Sequence, residues 1–144
     1  MIKCIIGEDE TLAQHVIQSH LQRAEQFELV GTCSNALEAE EILNTRQVDL
    51  IFLDIQLPGM TGLNFLKTLQ NPPLVILTTA YTEYAIESYE FNVIDYLLKP
   101  ISFERFSKSI NKIIDGNLLN KKTQANNADH IFIKSSGKFY KINF

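Results

Sequence analysis

Four groups of reactive side chains stand at the ends of apolar runs in this chain. Residues 2–6 lead into Glu8-Asp9-Glu10, residues 50–53 into Asp54, residues 74–77 into Thr78-Thr79, and residues 94–98 into Lys99-Pro100. Glu8, Asp9 and Asp54 placed together would repel one another unless a cation sat among them. A hard divalent ion with oxygen ligands meets that need, and a site with few protein ligands that also handles phosphate suits Mg²⁺. Lys99 would add a point charge and Thr79 a donor. Metal, lysine and hydroxyl together suit a tetrahedral phosphoryl group. Asp54, central among them, is then the natural nucleophile, forming an acyl phosphate. Each residue alone has a plainer explanation. Asp54 could cap a turn, Thr79 could be an ordinary strand residue, Lys99 a solvated turn lysine, and Glu10 reads best as an acid at a helix N-terminus. The conjunction of four strand ends carrying four complementary groups favours the chemistry.

The elements that must position these groups are legible in the pattern. The runs at 2–6, 27–33, 50–53, 74–79 and 94–98 are mostly apolar, and 50–53 is continuously so, as strands buried on both faces of a parallel sheet are. Between them the period changes to that of helices. Leu12, Val16, Ile17, Leu21 and Ala24 mark the first, and Ala36, Ala39, Ile42 and Leu43 the second, capped by Ser34 or Asn35. A third runs over about residues 62–69 until Pro72-Pro73, and a short fourth begins at Thr82 or Glu83 and ends at Tyr89. The fifth is capped by Ser102 and turns Phe103, Phe106, Ile110, Ile113 and Ile114 inward. Five strand–helix units predict an α/β domain with right-handed crossovers and strand ends gathered on one side, where ligands of such sheets bind. A strand ending in Lys99-Pro100 also invites a cis bond.

The chain has 144 residues, an ordinary 45% hydrophobic and 21% charged content, and a net charge of -4. Residues 1–115 hold 8 Lys/Arg against 16 Asp/Glu, whereas residues 116–144 hold 5 Lys against one Asp. An acidic body does not suggest nucleic acid; the basic tail suggests it weakly. Cys4 and Cys33 show no metal-ligand spacing, His15, His20 and His130 are scattered, and buried reduced thiols are expected. No leader pattern or run of membrane-spanning length is seen, which points to a cytoplasmic protein with no membrane partner. Gly116 and the polar run through Asn127 read as a linker. After it, residues 131–134 and 138–144 flank Ser135-Ser136-Gly137 as a hairpin does.

The runs IIGEDE, DLIFLDIQLPGMTG, VILTTAY and DYLLKP, in that order, resemble the receiver domain of bacterial two-component response regulators. The resemblance covers about residues 2–115. It implies the flavodoxin-like receiver fold, a five-stranded parallel sheet of order 2-1-3-4-5 sandwiched by five helices. It also implies roles: Asp54 as phosphoacceptor, Glu8, Asp9 and the backbone carbonyl of Gln56 as its companions around Mg²⁺, Thr79 and Lys99 as phosphate-sensing residues, and Tyr96 as the aromatic switch. Glu8 replaces the aspartate many members have, which implies metal contact through water. Gln56 and Tyr81, two residues beyond Asp54 and Thr79, are expected to tune the phosphoryl lifetime.

A finer resemblance, carried by TTAYTEYAIESYEFNVIDYLLKPIS and HIFIKSSGKFYKINF, is to regulators with a LytTR-type DNA-binding domain. The expected organisation is a receiver at 1–115, a linker at 116–129, and a C-terminal β-hairpin stub of that output domain at 130–144. The resemblance implies a histidine kinase as phosphodonor, homodimerisation through the surface of residues 82–89, 95–98 and 102–115, and DNA binding only through the output domain missing here. It implies a phosphoacceptor rather than a turnover enzyme. The competing readings are a Mg²⁺-dependent phosphatase, which needs an acid where Gln56 stands, and a protein-binding module whose acids are structural.

Overall fold

The computed structural model describes residues 1–80, 93–116 and 118–119. The expected helix ending at Tyr89, Tyr81, most of the linker and the C-terminal hairpin lie outside the described residues. The elements in chain order are β1 (Ile2–Gly7), α1 (Thr11–Gln22), β2 (Phe27–Cys33), α2 (Ala36–Thr45), β3 (Leu50–Asp54), β4 (Gln56–Leu57), β5 (Met60–Thr61), α3 (Gly62–Lys67), β6 (Leu74–Thr79), β7 (Val93–Leu98) and α4 (Phe103–Asp115).

The five long strands form one parallel sheet in the order β2-β1-β3-β6-β7, the order the resemblance implies. All five residues of β3 and all six of β6 are buried. Both strands are central and covered on two faces, so their sequences never alternate. One face buries Cys4, Ile6, Phe52, Ile76 and Leu97 against α1 and α4, and the other buries Ile5, Ile51, Leu53, Val75 and Leu77 against α2 and α3. Phe52 and Phe106 stack at 5.4 Å between ring centroids, fixing α4 on the sheet. Cys4 and Cys33 fall in different cores, are free, and have thiols pushed up to about 12 and about 11 by burial.

Local chemistry sets the helix starts. Asn35, rather than Ser34, caps α2, accepting from Glu38 N at 2.9 Å, and the Glu38 carboxylate accepts in return from Ser34 N at 2.7 Å. Ser102 caps α4 and Thr61 caps α3, each accepting at 3.1 Å from the residue three further on. Three expectations need correction. α3 ends at Lys67, short of Leu69. Leu12 is 71% exposed, because it stands about 140° around the helix from Ile17 and about 180° from Leu21. Ile114 is also exposed, since it is about 100° from Ile113, which takes the inward position. The antiparallel ribbon β4–β5 is an addition that the apolar pattern did not signal.

A buried carboxylate ties β7 to α4. Asp95 accepts both guanidinium nitrogens of Arg105 at 2.9 Å, Ser109 Oγ at 2.6 Å and Lys112 Nζ at 3.0 Å. Arg105 Nη2 also donates to the Tyr96 carbonyl at 3.1 Å. Burial alone would raise the Asp95 carboxyl, but Arg105, Ser109 and Lys112 together hold it below its ordinary 3.8. A depressed carboxyl contributes stability above its unfolded value and loses it as pH falls through the lower folded value. Arg105 and Lys112 are 40% and 50% exposed, so the contribution is screened. We therefore expect Asp95→Asn to cost about 1–2 kcal/mol at pH 7. Urea unfolding should show that difference at neutral pH and its disappearance in acid, below the ordinary value of 3.8. An equal difference at both pH values contradicts the tie.

Candidate functional site

The carboxyl ends of β1, β3, β6 and β7 do converge. Gly7 is in register with Leu53, so Glu8, the next residue, stands beside Asp54. Asp54 is in register with Thr78, and Thr79 with Leu98, immediately before Lys99. Ligating oxygens of Glu8, Asp9 and Asp54 all lie within 4.8 Å of one another. Glu8 is fully buried, Asp54 nearly so, and Asp9 is exposed.

Lys99 is the counter-charge. Its Nζ stands 2.8 Å from Glu8 Oε1 and 3.2 Å from Asp54 Oδ2. The Lys99-Pro100 bond is cis, as the sequence suggested. Lys99 N donates to the Thr79 carbonyl at 2.8 Å, which continues the β6–β7 pairing up to the site. Burial pulls the Lys99 ammonium down, but the carboxylates of Glu8 and Asp54 outweigh it and raise its pKa above the ordinary value. The Glu8 carboxyl is pushed up to about 7, first by burial, against the opposing pull of Lys99 and with the Asp54 charge adding to the rise. Glu8 Oε2 also accepts from Glu10 N at 3.1 Å, which fixes the carboxylate's orientation.

Asp54 itself is held from two sides. Its Oδ1 accepts from Gln56 N at 2.9 Å, and Lys99 holds Oδ2. The exposed Gln56 begins the ribbon β4–β5, whose turn contains Gly59 at φ 83°. The ribbon returns the chain so that Gly62 N donates to the Ile55 carbonyl. At Gly62 a Cβ would stand 2.5 Å from the Asp54 carbonyl oxygen and 3.1 Å from Ile55 Cα. Only a glycine allows α3 to begin this close to the acceptor strand. The close contact at Gly62 was not identified from the sequence; the Thr61-Gly62 pair opening a helix was the available signal.

Thr79 is buried at the end of β6, and Tyr96 on β7 is half-buried, packed against the α2–α3 side of the core. Tyr81 lies outside the described residues. The donor set fits a hard divalent cation: clustered carboxylate oxygens with more negative charge than one lysine balances.

Comparison with protein families matches the response regulator receiver domain over residues 4–111. The chain belongs to the response regulator receiver family. It is 39% identical over 115 residues to the transcriptional regulatory protein BtsR of Escherichia coli K12, and 35% identical over 116 residues to a response regulatory protein of Vibrio cholerae. These alignments take in 78% and 79% of this chain but 48% and 49% of the relatives, so the chain spans about half their length. Among solved structures, the response regulatory domain of protein mrkE from Klebsiella pneumoniae superposes with a TM-score of 0.72 at 32% identity, covering 79% of this chain and 96% of that one. TrrA from Thermotoga maritima, solved in complex with Mg²⁺-BeF, gives a TM-score of 0.68 at 26% identity over 78% of this chain and 99% of that one. This receiver is thus a domain of a two-component response regulator, a class of phosphoacceptors rather than turnover enzymes. Among the described residues no helix is long and apolar enough to cross a membrane.

The close approach at Gly62 yields a test. Gly62→Ala must move backbone and should destabilise the receiver by about 2–3 kcal/mol in urea unfolding. Gly59→Ala meets no atoms within 4 Å, so it should cost only the strain of its positive φ, about 1 kcal/mol. Equal costs would show that the Asp54 contact does not constrain the chain.

Proposed function

We propose that this receiver accepts a phosphoryl group on Asp54 from a phosphohistidine of a sensor histidine kinase, with Mg²⁺ held by Glu8, Asp9, Asp54 and the backbone carbonyl of Gln56. The observation that carries this reading is the Lys99 ammonium spanning Glu8 and Asp54 beside a third carboxylate, at the sheet edge where ligands of such folds bind. An Asp54 carboxylate oxygen attacks phosphorus, an O–P bond forms, and the P–N bond breaks as its electron pair returns to the imidazole. The cation, when bound, neutralises charge on the transferring oxygens. The protein's own groups do the rest. Gln56 N orients the Asp54 carboxylate, Lys99 takes a phosphoryl oxygen, and the Thr79 hydroxyl takes another. The full burial of Glu8 supports a role in which it orients metal-bound water as well as balancing Lys99.

The readout in this proposal is Tyr96. It turns inward as Thr79 moves to the phosphate, remodelling the surface of residues 82–89, 95–98 and 102–115 through which homodimers form. Arg105 joins the Tyr96 carbonyl and Asp95 in one network, so β7 and α4 would respond together. Gln56 carries an amide where hydrolytic turnover needs an acid, which favours a phosphoryl group that persists, and Tyr81 is proposed to shield it with Gln56. The likeness to BtsR supports a LytTR-type regulator, in which residues 1–115 are the receiver, 116–129 a linker and 130–144 the start of a cytoplasmic DNA-binding domain.

With acetyl phosphate and Mg²⁺, intact-mass measurement should find up to about one phosphoryl group per chain, and none on Asp54→Asn. Equal uptake by the variant overturns the acceptor assignment.

A further inference from the structure

One buried hydroxyl beside this site has no role in the account above. Thr78 is 1% exposed, and its Oγ1 is buried without a hydrogen-bond partner. A buried polar atom left unpaired costs stability, and valine has the same shape without that cost. The neighbouring positions of β6 are filled by Val75, Ile76 and Leu77. A threonine here is therefore worse than a valine for folding alone.

Its place in the sheet is specific. Thr78 lies two residues beyond Ile76 and in register with Asp54 and Leu97. By the period of two it stands on the face shared by Ile76, Phe52 and Leu97. Glu8, Asp54 and Thr78 thus form a row across three adjoining strands, β1, β3 and β6. Lys99 starts from β7, on the far side of β6, yet its Nζ reaches Asp54 and Glu8. Lys99 follows Leu98, the partner of Thr79, and its side chain reaches back over β6 to Asp54, the register partner of Thr78.

We propose that the Thr78 hydroxyl is a further positioning group of the site, the acceptor to which the Lys99 ammonium turns when Asp54 carries a phosphoryl group. The inference rests on the phosphoacceptor reading above. An ammonium has three N–H donors. In the unphosphorylated protein the ammonium donates to Asp54 Oδ2 and forms an ion pair with Glu8 Oε1 at 2.8 Å. Phosphorylation moves the negative charge from the Asp54 oxygens onto the phosphoryl oxygens. Lys99 follows that charge, leaves Glu8 on β1, and draws back along the row towards β6. The N–H released from Glu8 then meets Thr78 Oγ1. The cost of the unpaired hydroxyl is carried by the unphosphorylated state and relieved in the phosphorylated one, which biases the equilibrium between them.

The test compares wild type, Thr78→Val and Thr78→Ser by thermal unfolding, first without metal and then across a beryllofluoride titration with Mg²⁺. Without metal, Thr78→Val should melt at the wild-type temperature or a few degrees higher. Its affinity for beryllofluoride should be about tenfold weaker, the loss of one hydrogen bond to a charged group, and Thr78→Ser should restore it. In a Lys99→Ala background, Thr78→Val should have no further effect on that affinity. The inference is overturned if Thr78→Val binds beryllofluoride as wild type does, if serine does not rescue, if the Lys99→Ala background leaves the effect intact, or if Thr78→Val melts several degrees lower without metal. If wild type gains no stability from beryllofluoride while remaining folded, the phosphoacceptor reading fails and this inference with it.

Discussion

The site depends on an unbalanced cluster of charge. Oxygens of three carboxylates lie within 4.8 Å of one another, and a single ammonium bridges two of them. Two unit charges about 4 Å apart interact by about 4 kcal/mol at an effective dielectric of about 20, so such a cluster is stable only with its partners in place. Lys99 answers part of the demand and is held charged by doing so. The remainder appears as the raised pKa of Glu8, which burial and the Asp54 charge push up to about 7. A group of acids that cannot all be ionised comfortably is a site prepared for more positive charge. That preparation ties the Mg²⁺ and phosphoryl chemistry to the fold.

The fold's task is to keep those acids together against their repulsion. The sheet does so by burying β3 and β6 completely, which fixes the height of Asp54 and Thr78. The ribbon β4–β5 and Gly62 close the chain tightly against Asp54 from beyond the strand. On the other side, Asp95 binds Arg105, Ser109 and Lys112 and anchors α4 to the strand that delivers Lys99. That second carboxylate is satisfied where the first cluster is not. Its charge is matched by two cations and a hydroxyl, and its pKa falls rather than rises. The contrast separates a structural acid from a reactive site on the same domain.

Much of this was legible in residue order. Largely apolar runs ending in Glu8-Asp9, Asp54, Thr79 and Lys99 pointed to a parallel sheet with its chemistry at one edge, and β2-β1-β3-β6-β7 provides it. Other features were not legible, for physical reasons. The outward position of Leu12 follows from angles around a helix whose buried face is chosen by Ile17 and Leu21, and apolar content alone cannot rank them. The short α3 and the ribbon before it come from hydrogen bonds across a turn, which leave no periodic trace. The tie made by Asp95 was not legible because its partners stand 10, 14 and 17 residues on.

Borohydride trapping locates the phosphoryl group directly, since it reduces an acyl phosphate on aspartate to homoserine. The receiver, phosphorylated with acetyl phosphate and Mg²⁺, would be reduced, cleaved with trypsin and sequenced by mass spectrometry over residues 47–67. Phosphorylation on Asp54 gives homoserine at position 54 and intact aspartate at Asp49, with no homoserine in a sample lacking phosphodonor. Homoserine at Asp49 or elsewhere in the chain, with Asp54 unmodified, would contradict it.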